Sequence, residues 1–106
     1  MRGIAVVSFW LVIAAAPPVA ADDVMRQGEY LFRAAGCANC HTDEKNKGAP
    51  LAGRRALKTP FGTFYSPNIT PDPETGIGRW SEADFVRALR EGISPEGGHY
   101  YPAFPY

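Results

Sequence analysis

Two cysteines and a histidine stand together in this chain, in the stretch Gly36-Cys37-Ala38-Asn39-Cys40-His41. The pattern Cys-x-x-Cys-His is the attachment signature of c-type haem. Its spacing has a mechanical reason: on one helical turn, residues i and i+3 project to the same side. Cys37 and Cys40 can then each form a thioether to one vinyl group on a porphyrin edge, and His41, next in line, can reach the iron as the proximal ligand. Other chemistries fit less well. A disulfide between these two cysteines closes too short a loop to stabilise much. A thioredoxin-like redox pair wants an adjoining strand-helix pattern, which the flanks lack. Tetrahedral zinc wants a second ligand pair, and the chain's other histidine is His99, with no further cysteine. The expected cofactor is one covalently bound haem c.

The chain around this motif has 106 residues, 45% apolar and 21% charged, with eleven basic and eleven acidic side chains. Averaged, that is an ordinary globular domain, but two unlike parts are being averaged. Met1 to Ala21 hold sixteen apolar residues, one basic residue and no acid. Arg2 supplies a short basic start, Ile4 to Ala16 an apolar run, and Pro17 to Ala21 a breaker with Val19 and Ala21 at the −3 and −1 positions of a cleavage site. The run stops at Pro17, short of the roughly 20 apolar residues that a spanning helix needs. Residues 1–21 are therefore expected to be a cleavable signal peptide that exports a domain over residues 22–106 to the periplasm, with membrane association only through a partner.

From Asp22 onwards there are ten basic and eleven acidic residues. This near-neutral balance argues against nucleic acid as a partner, because a phosphate backbone is normally met by a basic face. The same segment holds nine Ile, Leu and Val against eleven aromatics and eighteen Gly and Pro. That is little aliphatic material for a conventional core, and small exported domains compensate with disulfides or a bound group.

The elements that must present the motif follow from local patterns. Asp22 to Ala35 reads as a helix, opened by Asp22 or Asp23 as N-cap, with Val24, Gly28, Leu31, Phe32 and Ala35 at spacings of three and four. Gly36 is its natural end. Gly28 inside it costs about 1 kcal/mol relative to Ala, and is either a tolerated glycine or a place where another helix crosses closely. From His41 to Arg79 breakers dominate, so a long loop is expected, with Leu51, Leu57, Phe61, Phe64, Tyr65 and Ile69 placed to wrap a porphyrin. A second helix starts at Ser81 as N-cap with Asp84 at the third position and stops at Gly92. Phe85, Val86, Leu89 and Ile93 would make its buried stripe.

Several further motifs accompany these: Gly28-Glu29-Tyr30-Leu31, Thr59-Pro60-Phe61-Gly62-Thr63, Ser66-Pro67-Asn68-Ile69-Thr70-Pro71-Asp72, Thr75-Gly76-Ile77-Gly78-Arg79-Trp80-Ser81 and Tyr101-Pro102-Ala103-Phe104-Pro105-Tyr106. Together with the cysteine motif they make Val24 to Tyr106 resemble the class I cytochromes c, most closely the cytochrome subunits and domains that accompany bacterial periplasmic alcohol and gluconate dehydrogenases. The resemblance implies a small all-α fold with long haem-wrapping loops, in which the N-terminal helix crosses a C-terminal helix at Gly28. It also implies that the Pro50 carbonyl, in Gly48-Ala49-Pro50-Leu51, accepts the ring N–H of His41, which would fix the tautomer of the ligand. By the same resemblance Asn68, Thr70 and Trp80 lie near the haem propionates as hydrogen-bond donors.

One departure from the family pattern bears on the sixth iron ligand. Such cytochromes usually place a methionine opposite the histidine, and this chain has only Met1, which leaves with the signal peptide, and Met25, which precedes the motif on its own helix. Phe104 stands where several relatives carry the ligand methionine. Relatives with Phe here have their methionine a few residues further on, ahead of the closing helix, so the chain reads as cut short at its C-terminus. His99, in a loop after two glycines, is either a solvent-facing histidine or a sixth ligand that would lower the potential relative to Met/His ligation. The sixth ligand stays open.

Three functions follow. The first is an electron-transfer protein, not itself an enzyme, that moves single electrons from a periplasmic or membrane-bound dehydrogenase, or another cytochrome, towards the respiratory chain. The second is an open-coordination haem protein that binds small ligands. The third is a fragment without independent activity.

Overall fold

The computed structural model describes residues 20–103. Residues 1–19 and 104–106 lie outside them, and with them most of the expected signal peptide and Phe104. In chain order the elements are α1 (Ala21–Ala34), α2 (Cys37–His41), a 3-10 turn (Glu44–Asn46), β1 (Ala56–Thr59), β2 (Gly62–Tyr65) and α3 (Glu82–Glu91). The all-α expectation is thus corrected by a two-stranded sheet. Among the described residues no helix is long and apolar enough to cross a membrane.

Helix α1 runs where its periodicity places it, but its caps differ from expectation. The N-cap is Ala20, which offers no side-chain bond, and Asp22 and Asp23 sit inside the first turn. There their carboxylates still favour the positive end of the helix dipole. Arg26 pairs with Asp23, and Arg33 with Glu29 at 2.7 Å, along the exposed flank. Gly36 then takes a left-handed conformation, φ 67°, between α1 and α2. Its N–H reaches the Arg33 carbonyl at 3.1 Å while its own carbonyl accepts from Asn39 at 3.0 Å. A side chain at this φ would meet its own backbone, so glycine makes the corner cheaply.

Gly28 has no crossing partner among the described residues: a Cβ built on it meets nothing within 4 Å. Val24 and Leu31 beside it are 57% and 64% exposed.

The stretch read as a continuous loop contains a hairpin. β1 and β2 pair antiparallel, with Leu57 opposite Phe64 and Lys58 opposite Thr63. Threonine and aromatic side chains suit a pleated ribbon, and the breakers that suggested a loop lie at its reversal. There Thr59 Oγ1 accepts from the Phe61 N–H at 3.1 Å and donates to the Gly62 carbonyl at 2.9 Å. Leu57 and Phe64 share the half-buried face, and Phe64 stacks on Tyr101 with ring centroids 4.0 Å apart.

Helix α3 has the caps its sequence specifies. Ser81 Oγ accepts from the Asp84 N–H at 3.1 Å, and the Asp84 carboxylate accepts from the Ser81 N–H at 2.9 Å. Gly92 stops the helix at φ 67°. The expected buried stripe is corrected: Ala88 is the covered residue, while Phe85, Val86 and Leu89 are 43–48% exposed, because no other named element packs against α3 among the described residues.

Removing the cap should be measurable. Ser81→Ala is expected to cost about 1 kcal/mol of helix stability, read as a lower urea midpoint. The hydroxyl of Ser81, then its backbone N–H, hold the Asp84 carboxyl below the ordinary aspartate value of 3.8. A depressed folded value means that the cap contributes fully above that ordinary value and loses its contribution as pH falls through the lower one. Acid titration followed by far-ultraviolet circular dichroism should therefore show a smaller loss in Ser81→Ala than in the parent chain.

Candidate haem attachment site

Cys37 and Cys40 lie one turn apart on α2 as free thiols, Cys37 half-buried and Cys40 exposed. His41 ends the same turn. Its Nδ1–H donates to the carbonyl of Pro67 at 2.8 Å. A carbonyl can only accept, so Nδ1 carries a proton, and in the neutral ring the lone pair then sits on Nε2. That is the neutral tautomer a metal ligand requires, oriented by a carbonyl acceptor. Among the described residues no three of His, Cys, Asp and Glu gather as a metal cage. Two free thiols and one oriented imidazole fit covalent haem and one axial bond to its iron.

The acceptor expected for His41 was Pro50, and the structure gives the bond to Pro67 instead. After α2 the chain turns at Ala49–Ala52, with the Ala52 N–H on the Ala49 carbonyl at 3.1 Å, whereas β2 returns to lay Ser66 and Pro67 against the end of α2. Three segments meet there. The Gly53 N–H donates to the His41 carbonyl at 2.7 Å, the Arg54 N–H to the Ser66 carbonyl at 2.7 Å, and the Ser66 N–H to the Arg55 carbonyl at 3.1 Å. Ser66 is 7% exposed, and its Oγ accepts from the Arg55 N–H at 3.1 Å. Gly53 is the tightest point: at φ 75°, a Cβ on it would stand 2.4 Å from the Ser66 carbonyl oxygen and 2.6 Å from that of Pro67. The Arg55 guanidinium donates to the Asn39 carbonyl inside the Cys-x-x-Cys-His turn, so hairpin and motif are joined at both ends of α2's second half.

Asn68 and Thr70 are brought together, largely to each other. Asn68 Oδ1 accepts from the Thr70 N–H at 2.8 Å and from its hydroxyl at 2.6 Å, and Asn68 Nδ2 donates to Thr75 Oγ1 at 3.0 Å. The Thr70 hydroxyl proton is therefore engaged as a loop brace. The second Nδ2 hydrogen of Asn68 remains, as does the indole N–H of half-buried Trp80, for which no hydrogen bond is found among the described residues. The backbone N–H groups of Glu74 and Thr75 clasp the Asp72 carboxylate at 2.7 and 3.1 Å and hold it below the usual carboxylate range.

His99 is exposed, with its backbone bridged to Ile93, and no hydrogen bond ties its ring to the described residues. Met25 is 74% exposed on α1. Pro67, Ser66, Gly53 and Arg55 were missed by sequence reasoning. The Ser66-Pro67 pair was visible as a motif, but only recognition of the hairpin would have returned it to His41.

No family model matches the chain. Over 83 residues it is 59% identical to a component of nicotinate dehydrogenase from Pseudomonas putida, covering 78% of this chain and 7% of that protein. Over 85 residues it is 48% identical to the cytochrome c subunit of quinone alcohol dehydrogenase from Gluconobacter oxydans, covering 80% and 17% respectively. Over 93 residues it is 47% identical to the cytochrome c subunit of gluconate 2-dehydrogenase from Pantoea cypripedii, covering 88% and 21%. The chain thus spans less than a quarter of the length of each of these three relatives. At 47–59% identity over 78–88% of its own residues, the chain is thus similar to stretches of bacterial dehydrogenase components, two of them named cytochrome c subunits.

Proposed function

We propose that this chain carries one covalent haem c in the periplasm and passes single electrons from a dehydrogenase, or from a neighbouring cytochrome, towards the respiratory chain. The observation that carries this reading is His41, next to two free thiols on one turn, with Nδ1 engaged by Pro67 at 2.8 Å and Nε2 left for iron. When bound, haem supplies a reversible one-electron change at iron. The chain's own residues do the rest. Cys37 and Cys40 anchor the macrocycle, Pro67 fixes the tautomer of His41 and strengthens it as a donor, and Arg55 holds the turn through the Asn39 carbonyl. The second Nδ2 hydrogen of Asn68 and the Trp80 indole N–H are donors available to propionates, with Thr70 bracing Asn68. Four relatives are named cytochrome c subunits of dehydrogenases, which supports a dehydrogenase partner. Another is named a diheme cytochrome; the count of one haem rests on the single Cys-x-x-Cys-His here. The periplasmic location rests on the signal-like start, and membrane association would come through the partner.

A second reading, an open coordination site, is motivated by the lack of any methionine after Met25 in this sequence. One experiment addresses both. The full chain, produced with a haem-attachment machinery, should gain the mass of one haem and give a c-type spectrum that survives acid extraction and cycles with reductant and oxidant. The double variant Cys37→Ser/Cys40→Ser should lose essentially all covalent haem. Extractable haem in the parent chain would overturn the attachment. A spectrum that shifts on adding carbon monoxide would favour the open site.

A further inference from the structure

Helix α2 has five residues, too few to be stable by themselves, and a helix leaves its last four carbonyls without partners in its own turns. Two of those carbonyls are met by one short segment. The Gly53 N–H donates to the His41 carbonyl at 2.7 Å, and the Arg55 guanidinium donates to the Asn39 carbonyl. The backbone from which that side chain springs is itself fixed: the Arg55 N–H donates to Ser66 Oγ at 3.1 Å, and the Ser66 N–H donates to the Arg55 carbonyl at 3.1 Å. A cationic group is thus carried from an anchored backbone to Asn39, one residue before Cys40 and two before His41.

No carboxylate neutralises it. Arg26, Arg33, Arg79 and Arg87 each pair with an acid, whereas Arg54, Arg55 and Arg90 form no ion pair among the described residues. Of these three, only Arg55 is bonded to the Cys-x-x-Cys-His turn. The Asp43 carboxylate, two residues past His41, accepts from Asn46 at 2.7 Å and forms no ion pair with Arg55. A fixed cation at this turn acts on the iron, because the ferric iron–porphyrin unit carries one more positive charge than the ferrous one. Like charges repel, so the guanidinium disfavours the ferric form. We propose that Arg55 is a potential-setting residue: held at the Asn39 carbonyl, its uncompensated charge raises the reduction potential of the haem bound at Cys37, Cys40 and His41. This deepens the electron-transfer reading and rests on it.

The test uses the full haem-loaded chain, with the potential read by spectroelectrochemical titration in about 0.01 M and about 1 M salt. Arg55→Leu should lower the potential, so that at a fixed ambient potential the ferrous-to-ferric ratio falls about threefold in dilute salt. Because Arg55 is exposed, the difference from the parent should shrink in concentrated salt, where the screening length drops from ~30 Å to ~3 Å. Arg55→Gln keeps a donor for the carbonyl without the charge; it should shift as far as Arg55→Leu and carries the test alone if the leucine variant fails to fold. Arg55→Lys keeps the charge without the planar fork and should return most of the shift. Arg54→Gln removes an equal charge from the neighbouring exposed residue, which has no bond to the turn, and should shift the ratio by roughly half as much or less. A parent-like potential in Arg55→Gln, a shift that lysine fails to reverse, or equal shifts at positions 54 and 55 would overturn the role. So would a potential that turns pH-dependent near neutrality only when Arg55 is neutralised, since that would assign the guanidinium to a haem propionate instead of Asn39. A parent chain without redox-active covalent haem would refute the electron-transfer reading, whereas a redox-active haem indifferent to Arg55 would refute this role alone.

Discussion

Gly53→Ala is expected to strip the haem site of its order while leaving Cys37, Cys40 and His41 in the sequence. The added methyl would stand 2.4 Å from the Ser66 carbonyl oxygen and 2.6 Å from that of Pro67, well inside van der Waals contact. Overlap of this kind in a packed place costs about 1–3 kcal/mol, and the left-handed backbone adds roughly 1–2 kcal/mol for any residue with a Cβ. Domains have only about 5–15 kcal/mol in all. The overlap is relieved if Ser66 and Pro67 move away, which withdraws the acceptor from His41 Nδ1. The haem-loaded variant should therefore show a lower urea midpoint together with a displaced reduction potential. Gly28→Ala is the comparator. Its Cβ meets nothing within 4 Å, and alanine gains about 1 kcal/mol over glycine inside a helix, so this variant should be stabilised with its potential unmoved. Equal behaviour of the two variants would refute the tight contact.

His41→Ala should separate attachment from ligation. Both thioether positions remain, so the haem should stay covalently bound, while the loss of the Nε2 donor converts the iron to a high-spin state and moves the potential by on the order of 0.1 V or more, since axial ligands set haem potentials over about 0.8 V. Imidazole added to the variant should restore the low-spin spectrum, because it supplies the missing nitrogen to a cavity of the right size. If the variant remains low-spin without imidazole, His41 is not the proximal ligand. If maturation of the variant fails, imidazole present during haem attachment provides the same test.

The two variants probe different kinds of information. His41 is singled out by local sequence alone, because the chemistry of Cys-x-x-Cys-His is contained in five consecutive residues. The caps of α3 were legible for the same reason: Ser81, Asp84 and Gly92 act on backbone groups within three or four residues, and the structure forms each bond expected of them. Asp22 and Asp23 misled because an acid near a helix start can cap it or simply stabilise its first turn, and both roles have the same local signature.

The hairpin and the role of Pro67 were not legible in that way. Pro60 and Gly62 look the same in a loop and at a hairpin reversal, and what distinguishes the two is the pairing of Leu57 with Phe64 and of Lys58 with Thr63. The exposure of Phe85, Val86 and Leu89 is likewise a tertiary outcome, since periodicity identifies the apolar face of a helix but not what, if anything, lies against it.

What the amino-acid sequence determined by itself was the chemistry: two thiols and an imidazole at haem spacing, a chain poor in aliphatic residues, and a capped helix near its end. What only the tertiary structure decided was which of two prolines receives the His41 proton. Pro50 and Pro67 are alike as acceptors, and the choice between them depends on strand register bringing a residue 26 positions away to the end of α2. The close passage of Gly53 beneath Pro67 follows from the same register, because contacts between distant segments arise from pairing and excluded volume, which no local pattern of residues encodes.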